Sequence, residues 1–246
     1  MFYDQGLYNV RCEWGIQGVS KVTLRCDAVV IVDVLSFSTC VEIAVSQGAL
    51  VYPHMKREQS AEAYAESLGA VVASRSRKFD AGVYSLAPSS LVNIPAGTKL
   101  VLPSPNGSML SMLTGQTPTF AACLRNARAV AEAAAQLGTR IAVIPAGERW
   151  EDSSLRPSLE DWLGAGAVVH HLPGTKSPEA MAAEALYLRY QDELAVVIEA
   201  CSSGRELIDQ GFAEDVALAA ALNVSTTVPR LIQNAYQQNT SQQETA

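Results

Sequence analysis

Short apolar runs alternate with polar clusters along most of this chain, and the polar clusters open segments of helical periodicity. Ala28-Val29-Val30-Ile31-Val32 is the plainest run; β-branched and bounded by polar residues, it predicts a buried strand. It runs into Asp33 and the cluster Ser36-Phe37-Ser38-Thr39, after which Thr39 to Val45 predicts a helix with Gly48 at its C-terminal cap. The same order of strand, polar loop and helix returns twice. Lys99 to Leu102 reads as a strand, Pro103 to Ser108 as its loop and Met109 to Leu113 as the helix. Arg140 to Pro145 is the third strand, Ala146 to Trp150 a loop, and Ser158-Leu159-Glu160-Asp161 the start of the next helix.

Between and after these units lie a short strand at Val51 to Pro53, an amphipathic helix from Ser60 to Leu68 stopped by Gly69, and a strand from Thr119 to Leu124. Asn126 is placed to cap an alanine-rich helix from Ala127 to Leu137 that Gly138 ends, and the final third is mainly helical from Pro178 to about Leu222. His170-His171 ends a strand or helix, and adjacent histidines on a strand would point to opposite faces. Phe79 to Pro95, broken by Ser, Pro and Gly, reads as a long surface excursion. After Tyr236 the chain is Gln, Asn, Ser and Thr without apolar periodicity, which predicts one domain over residues 1–235 and a disordered polar tail over 236–246. Strands alternating with helices imply an α/β protein, a three-layer α/β/α arrangement with a mainly parallel sheet, with two pseudo-repeated lobes as a variant. In such a sheet, ligands gather at the carboxyl edge of the strands.

Composition narrows this picture. At 246 residues, 48% hydrophobic and 17% charged, the chain can bury a substantial core. A net charge of −7 and the lack of a dense Lys/Arg run argue against nucleic-acid binding. No apolar run approaches a membrane span, and Met1-Phe2-Tyr3-Asp4-Gln5 lacks the basic-then-apolar order of a signal peptide. Five scattered cysteines form neither a CxxC zinc pattern nor a disulfide framework, so reduced thiols in a cytoplasm are expected. Oligomeric state stays open, with a homodimer among the options.

The candidate chemistry lies in the loops. Asp33 at the end of its strand could hold a hard cation beside anion-attracting helix-start amides, or could serve only as a turn former. Ser36, Ser38 and Thr39 offer hydroxyls in the same loop. Asn106-Gly107-Ser108 offers a carboxamide, a flexible backbone that can form an anion-binding nest, and a hydroxyl, although Asn-Gly is also an ordinary turn. Glu148, Glu160 and Asp161 are further candidate metal ligands, with Glu160 also a candidate catalytic acid. Ser158-x-x-Asp161 matches a capping box, which would account for Asp161 without any catalysis. Ser203-Gly204-Arg205 and Arg125-Asn126 could present amides, hydroxyls and guanidinium groups to an anion, or could make surface salt bridges. Signatures for other chemistry are missing: there is no G-x-x-x-x-G-K-[ST] loop, no G-x-G-x-x-G, no G-x-S-x-G elbow, and no Asp-x-Asp at Asp33.

Taken in order, these segments resemble the 2-phosphosulfolactate phosphatase family. The resemblance rests on Val30-Ile31-Val32-Asp33-Val34-Leu35-Ser36-Phe37-Ser38-Thr39, Pro105-Asn106-Gly107-Ser108 and Leu124-Arg125-Asn126-Ala127-Arg128-Ala129-Val130-Ala131. Ser158-Leu159-Glu160-Asp161 with Gly164-Ala165-Gly166-Ala167 and the segment Ser202 to Val216 complete it. It implies a Mg²⁺-dependent cytoplasmic phosphatase that cleaves a small phosphorylated acid, of the kind used in coenzyme M biosynthesis. In this implied site Asp33, Glu160 and Asn106 are catalytic, and Mg²⁺ sits among Asp33, Glu148, Glu160 and Asp161. The chain departs from the family pattern at Ser36, where an arginine is usual, and at Pro105. The expectation is that Arg125 or Arg205 supplies the missing charge. Two other readings stay open: a non-catalytic small-anion binding protein, and a phosphatase of a different phosphorylated hydroxy acid.

Overall fold

The computed structural model describes residues 2–55, 59–74, 76–77 and 83–239. In chain order the strands are β1 (Val10–Cys12), β2 (Ala28–Val32), β3 (Leu50–His54), β4 (Val71–Val72), β5 (Lys99–Pro103), β6 (Thr119–Ala122) and β7 (Ile141–Pro145). They continue with β8 (Glu148–Arg149), β9 (Leu155–Arg156), β10 (Pro229–Ile232) and β11 (Ala235–Gln238). The helices are α1 (Gly15–Val22), α2 (Phe37–Ser46), α3 (Ala61–Leu68), α4 (Gly107–Leu113), α5 (Ala127–Ala135), α6 (Leu159–His171), α7 (Pro178–Tyr190), α8 (Leu194–Ala200), α9 (Ser202–Asp209) and α10 (Ala213–Ala220).

Nine strands form one sheet in the order β1-β7-β2-β6-β10-β11-β3-β5-β4, while β8 and β9 pair separately. The pairs β1–β7, β7–β2 and β2–β6 are parallel, as are β3–β5 and β5–β4. The β10–β11 hairpin joins these two parallel blocks through antiparallel contacts, Arg230 opposite Phe120 and Tyr236 opposite Val51. The chain is thus a three-layer α/β protein with one continuous sheet rather than a separate sheet for each lobe.

Period-2 alternation in β2 explains why that run is apolar throughout. Val30 and Val32 enter a core with Val130, Leu163 and Val168 of α5 and α6, whereas Val29 and Ile31 enter another with Val19, Val22 and Leu110 of α1 and α4. Phe37 and Val41 of α2 pack on Val51, Leu100, Leu102 and Tyr236 in a third cluster. The helix starting at Ser60 forms as its pattern predicts, with the Ser60 hydroxyl accepting from the Ala63 amide and Gly69 left-handed at its end.

Three expectations need correction. Ala235–Gln238 is a strand inside the sheet with Tyr236 fully buried, so the domain continues past residue 235; residues 240–246 of the expected tail lie outside the described residues. Its glutamines hide the strand, whose tight turn is made by Gln233 and Asn234, both at positive φ. Residues 79–82 of the expected excursion also lie outside the described residues. The remainder does not run over the surface: Pro88–Leu91 is a 3-10 turn, and Leu91 and Ile94 are buried in the core. Finally, Glu148–Arg149 of the expected loop pairs with Leu155–Arg156 as a hairpin.

Helices α6 and α7 approach closely because Gly166 has no side chain; a Cβ there would collide with the Ala183 carbonyl of α7. Gly166→Ala is expected to destabilise the protein by about 1–3 kcal/mol, the usual cost of overpacking. Urea unfolding of parent and variant checks this, and equal midpoints would show that the two helices have room to spare.

Candidate active site

Loops after β2, β5 and β7 and the first turn of α6 meet at four carboxylates. Asp33, the residue after β2, is buried; its Oδ1 accepts from the Phe37 amide at 3.1 Å and its Oδ2 from the Gly107 amide at 2.9 Å. Gly107 is required for that approach, since a Cβ would overlap the Phe37 ring and crowd the Asp33 carboxylate. Asp161 makes the matching tie on the other side, with Oδ1 accepting from Val34 at 2.7 Å and Oδ2 from Gly147 at 2.8 Å. The expected capping box is absent: the Ser158 side chain makes no cap bond, and the Asp161 carboxylate reaches the neighbouring loops instead.

Glu148 and Glu160 complete the cluster. The Asn106 carboxamide donates to Glu148 Oε2 at 3.0 Å, and the Cys201 thiol donates to Glu160 Oε2 at 3.4 Å. Burial raises the Asp33 carboxyl to about 6, the two amide bonds and Arg77 acting against it and Glu160 with it. Burial and the Asp33 charge raise Glu148 to about 7. Asp161 is held well above the ordinary carboxylate range by burial and by the Asp33 and Glu160 charges. Burial also lifts the Cys201 thiol to about 12, so it stays a donor at neutral pH.

Next to these groups is a 230 Å³ recess lined by Trp14, Ile16, Gln17, Asn106, Met109 and Glu148, among others. Trp14 meets Trp162 edge-on at 6.0 Å. A larger groove of about 500 Å³ at His54, Tyr64 and Met112 contains none of the four acids. Of the four acids, Glu148 lines the smaller recess, together with its partner Asn106.

Several residues expected to touch a ligand serve the scaffold instead. Ser38 Oγ donates to the Ile31 carbonyl and accepts from the Asp33 amide; Thr39 Oγ1 donates to the Val34 carbonyl, and Ser108 Oγ to the Leu102 carbonyl. All three are fully buried, because a loop that turns this sharply at a strand end must satisfy its own carbonyls. The Gly107 amide, expected for substrate, is donated to Asp33. Asn126 accepts from the Cys123 amide and donates to the Ala121 and Thr227 carbonyls, with no side-chain cap on α5. Arg125 is paired with the fully buried Glu42 and also donates to the Leu218 carbonyl. A buried carboxylate needs that cation, so Arg125 is not available to a substrate. Arg205 lies exposed on α9, bonded to none of the four acids.

Ser36 and Ser203 do border the cluster, and they reveal two cations that sequence reasoning missed. Arg77 Nη1 donates to Ser36 Oγ at 3.1 Å, and Arg156 Nη2 donates to Ser203 Oγ at 3.2 Å. Gly204 brings the start of α9 against the Ile198 carbonyl, close enough for its amide to donate to Cys201 Sγ at 3.4 Å.

A family sequence profile described as 2-phosphosulpholactate phosphatase matches residues 17–234. The chain belongs to this family. A "Probable 2-phosphosulfolactate phosphatase" of Thermosynechococcus vestitus is 29% identical over 221 residues, covering 82% of this chain and 88% of the relative. A protein of the same name from Gloeobacter violaceus is 29% identical over 223 residues, covering 83% and 88%. The "2-phosphosulfolactate phosphatase" of Methanothermobacter thermautotrophicus is 29% identical over 202 residues, covering 81% and 84%. Membership makes this chain a phosphoric monoester hydrolase, and the five-segment resemblance read from the sequence is confirmed. Among the described residues no helix is long and apolar enough to cross a membrane.

The raised carboxyls set the pH response of the metal-free protein. Asp33 and Glu148 hold protons in the folded state that the unfolded chain has already released, so their stabilising contribution is full below about pH 4 and is lost as pH rises through about 6 to 7. The melting temperature in chelator is expected to fall between about pH 5 and about pH 8. Glu148→Gln should flatten that fall. A parent whose melting temperature stays level over this range, or a variant that keeps the full slope, contradicts the assignment.

Proposed function

We propose that the chain hydrolyses 2-phosphosulfolactate to sulfolactate and phosphate with Mg²⁺, a reaction of the coenzyme M biosynthesis type in a cytoplasmic enzyme. The observation that carries the reading is the four-carboxylate cluster Asp33, Glu148, Glu160 and Asp161, in which three carboxyls are raised by burial and mutual repulsion, on a chain of this family. Buried like charges of this density call for a cation, and an all-oxygen donor set suits a hard one. Among the described residues no group of three or more His, Cys, Asp or Glu side chains is arranged to hold a metal ion. Mg²⁺ does not require one, because it is commonly held by one or two carboxylates together with water and substrate phosphate. Asp33 and Glu160 would hold it. When bound it would supply Lewis-acid polarisation of the phosphoryl group.

The chain's own residues supply the rest. Glu148, raised to about 7 and oriented by Asn106, can take a proton from water or return one to the leaving oxygen near neutral pH. Asp161 positions the Val34 and Gly147 loops around the substrate. The Cys201 thiol shares its one proton between Glu160 and the Ile198 carbonyl. Little covalent work is asked of the protein, since alignment and charge stabilisation carry most of phosphoryl transfer.

The test is phosphate release from 2-phosphosulfolactate with Mg²⁺ and with chelator. Release should need the metal, and Glu160→Gln should lose about a hundredfold or more in kcat, the scale of a lost electrostatic contact to the transition state. Binding of the intact phosphorylated acid without phosphate release would favour the anion-binding reading. Full turnover in Glu160→Gln would place the metal elsewhere.

A further inference from the structure

We propose that Arg77 and Arg156 form a two-point reader for a substrate bearing a phosphoryl group and a separate acid group, Arg77 holding the phosphoryl end and Arg156 a sulfonate or carboxylate. This deepens the phosphatase reading and rests on it for the identity of the phosphoryl end. The two guanidinium groups reach the cluster on different segments. Arg77 follows β4 and meets Ser36 of the β2–α2 loop; Arg156 lies on the β8–β9 hairpin and meets Ser203 of α9. Both are half-buried, and neither forms an ion pair with a described carboxylate within 4.0 Å. Arg125 and Arg140 differ in this respect, being committed to Glu42 and Asp27.

A guanidinium carries five N–H donors in a planar fork. One bond to a neutral serine hydroxyl orients that fork while leaving its charge and most of its donors for a ligand. Arg156 is further held with its guanidinium carbon 5.7 Å from the Trp150 ring centre. Arg156 is held by Ser203 of α9, whereas Arg77 is held by Ser36 of the loop that begins at Asp33. Arg77 beside it is therefore placed for the reacting phosphoryl group, and Arg156 for the more distant acid.

Charge balance gives the second arginine its purpose. Four carboxylates repel an anionic substrate, and a divalent cation at the centre cannot also neutralise a remote sulfonate or carboxylate. A simple phosphomonoester has no group for Arg156 to hold, so this residue should select for the additional acid.

The experiment is calorimetric titration of inorganic phosphate and of 3-sulfolactate, in Mg²⁺, into parent, Arg77→Gln and Arg156→Gln. Arg77→Gln is expected to weaken phosphate by about tenfold or more and to spare sulfolactate, with the opposite pattern for Arg156→Gln. Arg77→Lys and Arg156→Lys should weaken the same partner less, because charge is kept while two-pronged geometry is lost. In turnover, Arg156→Gln should lose about tenfold in kcat/KM on 2-phosphosulfolactate and little on phenyl phosphate. The proposal is overturned if the variants bind both probes as the parent does, if each weakens both probes equally, or if the parent binds neither. A parent that binds both probes selectively through these arginines yet releases no phosphate sinks the phosphatase reading and leaves the two-point reader standing.

Discussion

Asp33 and Asp161 each tie together two backbone segments with one carboxylate, and the geometry of the whole site depends on those four amide bonds. Asp33 links its own β2–α2 loop to the start of α4; Asp161 links that same loop to the turn after β7. Three loops, after β2 and β7 of one parallel block and after β5 of the other, and the first turn of α6 are thereby fixed to one another. Charged hydrogen bonds of this kind are worth about 1.5–3 kcal/mol each. The effective penalty for burying an ion is several kcal/mol. Two bonds per aspartate therefore roughly balance burial without overcoming it, which is why both carboxyls remain raised.

That incomplete compensation links the fold to function. Burial leaves the two aspartates raised in spite of their amide bonds. Placing Glu148 and Glu160 beside them adds repulsion, and cations at the edge offset part of the deficit. Arg77 and Arg156 supply part of that charge. In the proposed reaction the same arrangement that weakens the site would favour a metal and a phosphoryl group, a common balance at sites built for reaction rather than for stability.

Much of this was legible in the sequence, for physical reasons. β2 is buried on both faces, so it reads as an uninterrupted β-branched run, and Asp33 stands out at its end. Asn106-Gly107 marked the right turn, although the Gly107 amide serves Asp33 rather than a ligand. The arginines were misread because their partners are remote in sequence. Glu42, the one charged residue of α2, is the signal that some cation must be buried with it, and Arg125 is that cation. Arg77 sits in a Ser- and Arg-rich stretch without periodicity, and Arg156 in a two-residue strand; only the topology brings them to the acids. The β10–β11 hairpin was hidden by its glutamines, since a strand central to the sheet can carry polar side chains at its end when one aromatic, Tyr236, anchors it.

Native-state hydrogen exchange tests the central claim most directly, because the account makes the amides of Val34, Phe37, Gly107 and Gly147 part of the rigid frame although all four lie in loops or at helix starts. They should exchange as slowly as amides of β2 and β7. In Asp161→Ala, Val34 and Gly147 should lose their protection while β2 keeps its own. Exchange of these four amides in the parent at the rate of exposed loops would contradict the account.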